Sequence, residues 1–285
     1  VLDLLQLVIY GLVLGSILSL GAIGVSLTFG ILRFANFAHG DFMAMGAYFA
    51  FTFMVLLQWP FWPSLGLACG LTVLAVLAVD WLVFRHLRQR SPVILLISSF
   101  GVALIFRSLI QLGWGGDQRV YRQGIQLPLQ WAGLTIKPDQ ITIILGALGL
   151  MVALHLFLRY TRTGKAMRAM ADNVDLAQVS GINTERVTMW TWAIGAVLAA
   201  AAGVFLGLDT QLNPTMGWRL LLPIFASAIL GGIGSPYGAI VGGLIIGLAS
   251  ELSTLILSPA YKSAVAFAIL VLMLIVRPTG LFGGR

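Results

Sequence analysis

Apolar runs long enough to cross a lipid bilayer recur from one end of this 285-residue chain to the other. A helix needs about 20 apolar residues to span the hydrocarbon core with its backbone hydrogen bonds made internally, so the recurrence dictates a helical membrane protein. Only 9% of the residues are charged, against roughly 25% in soluble domains. A β-barrel is excluded, because its strands would be short and would alternate in polarity. The expected fold is therefore all-α, a polytopic transmembrane helical bundle forming a single domain over residues 1–285. Nine candidate segments cover residues 4–28, 39–57, 64–84, 92–113, 140–158, 187–208, 219–232, 236–257 and 263–277. The seventh and ninth are short. Such segments either cross by distorting the bilayer or enter and return, so eight or nine crossings are expected, some of them broken.

Basic residues set the expected orientation. With nine crossings and the N-terminus outside, the inner loops hold Arg33, Arg85, Arg88, Arg90, Arg159, Arg162, Lys165, Arg168, Arg186, Arg277 and Arg285. The outer loops hold Arg119, Arg122, Lys137, Arg219 and Lys262, and Arg107 lies within a segment. This bias follows the positive-inside rule and puts the C-terminus in the cytoplasm. The net charge of +7 is then explained by basic loops facing an anionic leaflet and calls for no nucleic acid. Cys69 is the only cysteine, so neither an internal disulfide nor a thiolate metal site is expected. The first segment lacks a basic n-region and is read as a retained helix.

Two polar stretches interrupt the apolar background. One is the outer loop over 114–139, turn-rich with Gly113, Gly115, Gly116, Pro128 and Pro138. The other, over 159–186 on the cytoplasmic side, is helical in character between Gly164 and Gly181, and Gly181 suits a C-terminal stop. Two places read as interrupted helices: Arg33 to Asp41 (Arg-Phe-Ala-Asn-Phe-Ala-His-Gly-Asp) and Leu230 to Gly238 (Leu-Gly-Gly-Ile-Gly-Ser-Pro-Tyr-Gly). They are either breaks marking a substrate pathway or two tight cytoplasmic turns.

Chemistry-bearing motifs are sparse. The single Gly-Lys, Gly164-Lys165, is followed by Ala166, so there is no P-loop and the chain is not expected to hydrolyse ATP or act as an enzyme by itself. His39, His86 and His155 are far apart and offer no metal-ligand spacing.

Four motifs in order resemble the permease family of branched-chain amino-acid ABC importers: Asn36-Phe37-Ala38-His39-Gly40-Asp41; Gly164-Lys165-Ala166-Met167-Arg168-Ala169 continuing through Gly181-Ile182-Asn183-Thr184; Leu230-Gly231-Gly232-Ile233-Gly234-Ser235; and Pro278-Thr279-Gly280-Leu281-Phe282-Gly283. The resemblance covers nearly the whole chain. It implies a multi-pass permease of the bacterial inner membrane that imports branched-chain or other neutral amino acids. It further implies a second homologous permease chain, two cytoplasmic ATPase subunits that hydrolyse the ATP, and an extracytoplasmic substrate-binding protein. The chain itself would bind no cofactor. Leu222 and Pro223 stand where many members carry a polar or basic residue, and Pro223 is expected to bend or break the seventh segment.

Both the residues and the resemblance nominate functional positions. Gly164, Lys165, Ala166, Arg168, Ala169, Asp172, Ala177 and Gly181 are the expected ATPase-coupling surface, since small residues admit close approach and the charges fix register. The alternative is an amphipathic helix lying on the membrane. Asn36, His39, Gly40 and Asp41, with Gly231, Gly232, Gly234 and Ser235, are candidates for the pathway or its gate; His39 and Asp41 alternatively cap the second segment. Arg107 and Glu251, both at membrane depth, are expected to form an ion pair, although Glu251 could instead meet a substrate ammonium or snorkel. Trp59, Trp62, Trp114, Trp131 and Trp218 are expected at the outer boundary. A competing function is an ion-coupled secondary transporter using Glu251, His155 and Asp80 as a relay.

Overall fold

The computed structural model describes residues 2–88, 90–121, 128–131 and 133–283. Arg122, Arg285 and the side chain of Trp131 lie outside that description. Among the described residues eleven helices form the bundle: α1 (Leu2–Leu32), α2 (His39–Phe51), α3 (Phe61–Val79), α4 (Pro92–Trp114), α5 (Pro138–Tyr160), α6 (Arg162–Asp172), α7 (Val174–Val179), α8 (Thr184–Asp209), α9 (Met216–Gly231), α10 (Pro236–Leu252) and α11 (Lys262–Val276). A π-helical turn, Thr52–Leu56, extends α2, and α3 continues through Asp80–Phe84 to Leu87. The all-α expectation holds apart from an antiparallel hairpin, β1 (Leu129–Trp131) on β2 (Leu134–Ile136), within the polar stretch before α5.

Seven of the described helices are long and apolar enough to cross a membrane. The ninth segment, expected to be short, is among them, because a turn from Pro259 extends α11 to 18 residues. Two further apolar helices of the bundle are shorter, α9 with 16 residues and α2 with 13 before its π turn.

Side chains sort these helices into an inner and an outer set. Most of α1 and α8 is buried, whereas α3, α4, α5 and α11 present apolar residues such as Leu112, Ile97 and Ile275 outward. Exposure on this scale suits a lipid surround rather than water. Between helices in lipid there is no hydrophobic drive, so close backbone packing of small residues has to hold them together. The α1–α10 contact shows this: Gly11 and Gly15 face Leu244, Gly247 and Leu248, while Ser19 Oγ donates to the Ile240 carbonyl at 2.9 Å.

The two ends of the bundle differ in charge. At the end where α1 finishes, hereafter the basic end, Arg88 bridges Asp80 and Glu185, its Nη1 lying 3.0 Å from the Glu185 carboxylate. At the opposite, hairpin end, Gln6 of α1 bonds Thr135 of β2, and Arg119 exchanges backbone hydrogen bonds with Leu212. Tyr121 is buried there, and its hydroxyl donates to the Ala47 carbonyl at 2.8 Å.

Candidate functional site

The first interruption lies inside the bundle. After α1 the chain turns at Arg33 and runs back along the helix it has just left, so that the His39 ring lies against Gly24. Gly24 precedes the end of α1 by eight residues, or ~12 Å of helix. Asn36 Oδ1 accepts from the Ala38 amide at 3.0 Å, and the Phe37 amide donates to Ser99 Oγ at 3.0 Å. These bonds supply partners for backbone groups that the break between α1 and α2 leaves without helical ones.

A second interrupted helix meets the first from the other side. Leu212 is tied at the hairpin end by Arg119, yet Gly217 in the first turn of α9 packs backbone to backbone on Gly40 in the first turn of α2. Two short helices thus begin face to face within the bundle, one entered from each end. Sequence reasoning missed the second entry, although Asn213-Pro214 ahead of an apolar run is a signal that could have found it.

At their junction stands a buried charge pair. Arg107 of α4 addresses Asp41 through Nε to Oδ1 and Nη2 to Oδ2, both at 3.1 Å. Asp41 is fully buried, and the Arg107 guanidinium lies 5.1 Å from the ring centroid of Trp218. A two-pronged arginine–carboxylate contact combines direction with charge neutralisation, which an ion pair inside a bilayer requires.

Several expectations are corrected here. Arg107 does not pair with Glu251; Glu251 instead takes Lys262 Nζ at 2.6 Å at the hairpin end. The nearest opposite charge differs because α2 starts inside the bundle, which brings Asp41 to the level of Arg107. His39 and Asp41 do not cap α2, which has no side-chain cap: the Asp41 carboxylate is turned to Arg107, and His39 Nε2 has no hydrogen-bond partner among the described residues. Trp218 is not a boundary anchor, since it packs with Phe37 and Phe100 at 6.5 and 5.6 Å between ring centroids. Pro223 does not break α9, which continues through it to Gly231.

The Gly231 to Ser235 interruption is a different object. It is a turn at the basic end, with Gly232 (φ 105°) and Gly234 (φ 89°) in the left-handed region and Ser235 Oγ capping α10 by accepting from the Gly238 amide at 3.1 Å. The chain end pairs with it, Leu281 and Phe282 donating to the Leu230 and Gly231 carbonyls at 2.8 and 3.0 Å. The relay residues also fail to gather. Asp80 is at the basic end, Glu251 at the hairpin end, and His155 Nδ1 lies 2.9 Å from the Tyr237 hydroxyl.

The polar stretch after α5 folds as two helices rather than one. Thr161 Oγ1 caps α6 by accepting from the Gly164 amide, and Asn173 Oδ1 caps α7 by accepting from the Leu176 amide, each at 2.9 Å. Gly181 ends the unit in the left-handed conformation (φ 84°). Met167, Met170, Gly164 and Ala177 face the bundle, Ala166 and Ala169 are half-buried, and Lys165, Arg168, Asp172 and Gly181 are exposed. Leu176 (66% exposed) and Val179 (87%) form an outward apolar pair one turn apart on α7 that the sequence did not single out.

An all-helical bundle with a lipid-facing exterior and two interrupted helices meeting inside it is a membrane protein of the transporter class. Residues 7–274 match the family described as branched-chain amino acid transport system / permease component, and the chain belongs to that family. It is 36% identical to the high-affinity branched-chain amino acid transport system permease protein LivH of Escherichia coli, over 98% of this chain and 95% of that one. It is 33% identical to the corresponding protein BraD of Pseudomonas aeruginosa over the same shares. Among solved structures, a chain of PsaBC from Streptococcus pneumoniae in complex with Fab shares the fold, with a TM-score of 0.53 at 12% identity, covering 97% of this chain and 92% of that one.

Proposed function

We propose that this chain forms half of the transmembrane pathway of an ATP-driven importer of branched-chain or other neutral amino acids. A second permease chain completes the pathway, separate ATPase subunits bind at the basic end, and a substrate-binding protein delivers at the hairpin end. On this reading the basic end faces the cytoplasm, in accord with the positive-inside rule.

The observation that carries the coupling role is the α6–α7 unit. Its inner face is anchored by buried Met167 and Met170, while its outer face offers Leu176 and Val179 flanked by Asp172 and Asp175. An exposed apolar pair rimmed by charge suits docking on another protein.

Changing Val179 to Asp tests this directly. The side chain is exposed, so folding and insertion should be unaffected. Co-purification of the ATPase should fall, with amino-acid uptake falling in parallel. Full association and full uptake with Val179→Asp would count against the docking role.

A further inference from the structure

The turn between α1 and α2 holds a non-glycine residue in the left-handed conformation, Arg33 (φ 59°). An L-residue with a long side chain disfavours that backbone, so the surrounding contacts must hold it there. One of them is explicit: Arg33 Nη2 donates to the Ala171 carbonyl at 2.8 Å. Ala171 lies in the last turn of α6, where carbonyls have no partner within the helix; the Asn173 amide takes Ala169 instead. A guanidinium at that position also meets the negative end of the helix dipole. Arg33 therefore joins the α6–α7 unit to the turn that leads into the interrupted helix.

The residues after Arg33 are held firmly. Phe34 is buried against Phe84 and Trp192, with ring centroids 5.5 and 6.2 Å away. Phe37 is fixed by Ser99 through its amide, and its ring lies on Trp218 and Phe225 of α9. Asp41, with Arg107, comes next on the path. Only a short stretch of chain, with Phe34 and Phe37 packed and Asn36 hydrogen-bonded, separates the Arg33 contact to α6 from the junction of the two interrupted helices.

We infer that Arg33 is the positioning residue through which movement of the α6–α7 unit is passed to the first turn of α2 during transport. The inference rests on the coupling role proposed above. The Arg33 bond is exposed, and a substitute that itself tolerates the left-handed backbone does not need it to hold the turn, so such a change should leave the fold intact.

The test uses the complete transporter, with both permease chains, the ATPase subunits and the binding protein, reconstituted in liposomes. Arg33→Asn removes the guanidinium while keeping a residue that tolerates the left-handed backbone. It should retain wild-type ATPase co-purification but lower the amino acid taken up per ATP hydrolysed by ~10-fold. Arg33→Lys, which keeps a cation without the planar fork, should fall less. Should Arg33→Asn yield no folded complex, a reduced ratio in Arg33→Lys supports the link and a wild-type ratio overturns it. A wild-type ratio in Arg33→Asn, or loss of the ATPase from it, overturns the link outright. Val179→Asp, measured alongside, separates the two ideas. Full ATPase association there defeats the docking assignment, whereas impaired Val179→Asp with an unchanged ratio in Arg33→Asn defeats only the link.

Discussion

Asp41 has no contact with solvent, and its charge is balanced by a single guanidinium whose side chain is 18% exposed. Removing one partner of such a pair leaves the other charge buried, at a cost of about 3–5 kcal/mol. Arg107→Met and Asp41→Asn should therefore each sharply reduce the yield of folded, monodisperse protein in detergent. Combining them should recover part of the loss, because no uncompensated charge remains. Arg107→Met combined with Glu251→Gln should instead show simple addition, since Glu251 is served by Lys262. Recovery in that second combination would restore the pairing expected from the sequence. Arg107 and Glu251 were legible as costly intramembrane groups, but Asp41 was not, and neither partner could be read, because a partner depends on which helices meet and at what height.

At the scale of elements, α2 and α9 depend on backbone contact. A Cβ at Gly217 would overlap the Gly40 carbonyl, and one at Gly203 would overlap the Met43 carbonyl, so neither neighbour can yield without moving a helix. Gly217→Ala and Gly203→Ala should lower thermal stability by several degrees or abolish folding. Gly66→Ala in α3, where nothing lies within 4 Å, should be neutral or slightly stabilising through helix propensity. Equal effects at Gly66 and Gly217, read from melting of the purified protein, would show that the contact between the two short helices is not close-packed. Side-chain caps went unread at this scale, and the one expected on α2 is absent, yet Thr161, Asn173, Asn183 and Ser235 each accept from the amide three residues on. They act locally, over one turn of chain, and each is worth ~1 kcal/mol.

For the whole molecule, the proposed orientation predicts that a reporter active only in the cytoplasm works when fused after Arg285 and fails when inserted at residues 124–130. Activity at the inserted site would reverse the orientation drawn from Lys and Arg. The class of fold, the approximate bounds of the nine segments and the family were all written in composition, run length and four motifs. A bilayer imposes these locally, since each span must bury its own backbone polar groups and each motif is a contiguous string. The tertiary structure alone decided which segments begin inside the bundle. From the sequence, Arg33 to Asp41 and Leu230 to Gly238 were equivalent breaks; in the fold one re-enters along α1 and the other is a turn tied to the chain end. The physical reason is that depth is a relation between helices. His39 lies deep because Gly24 leaves room for its ring, Gly217 because Gly40 admits its backbone, and Asp41 then finds Arg107 rather than solvent.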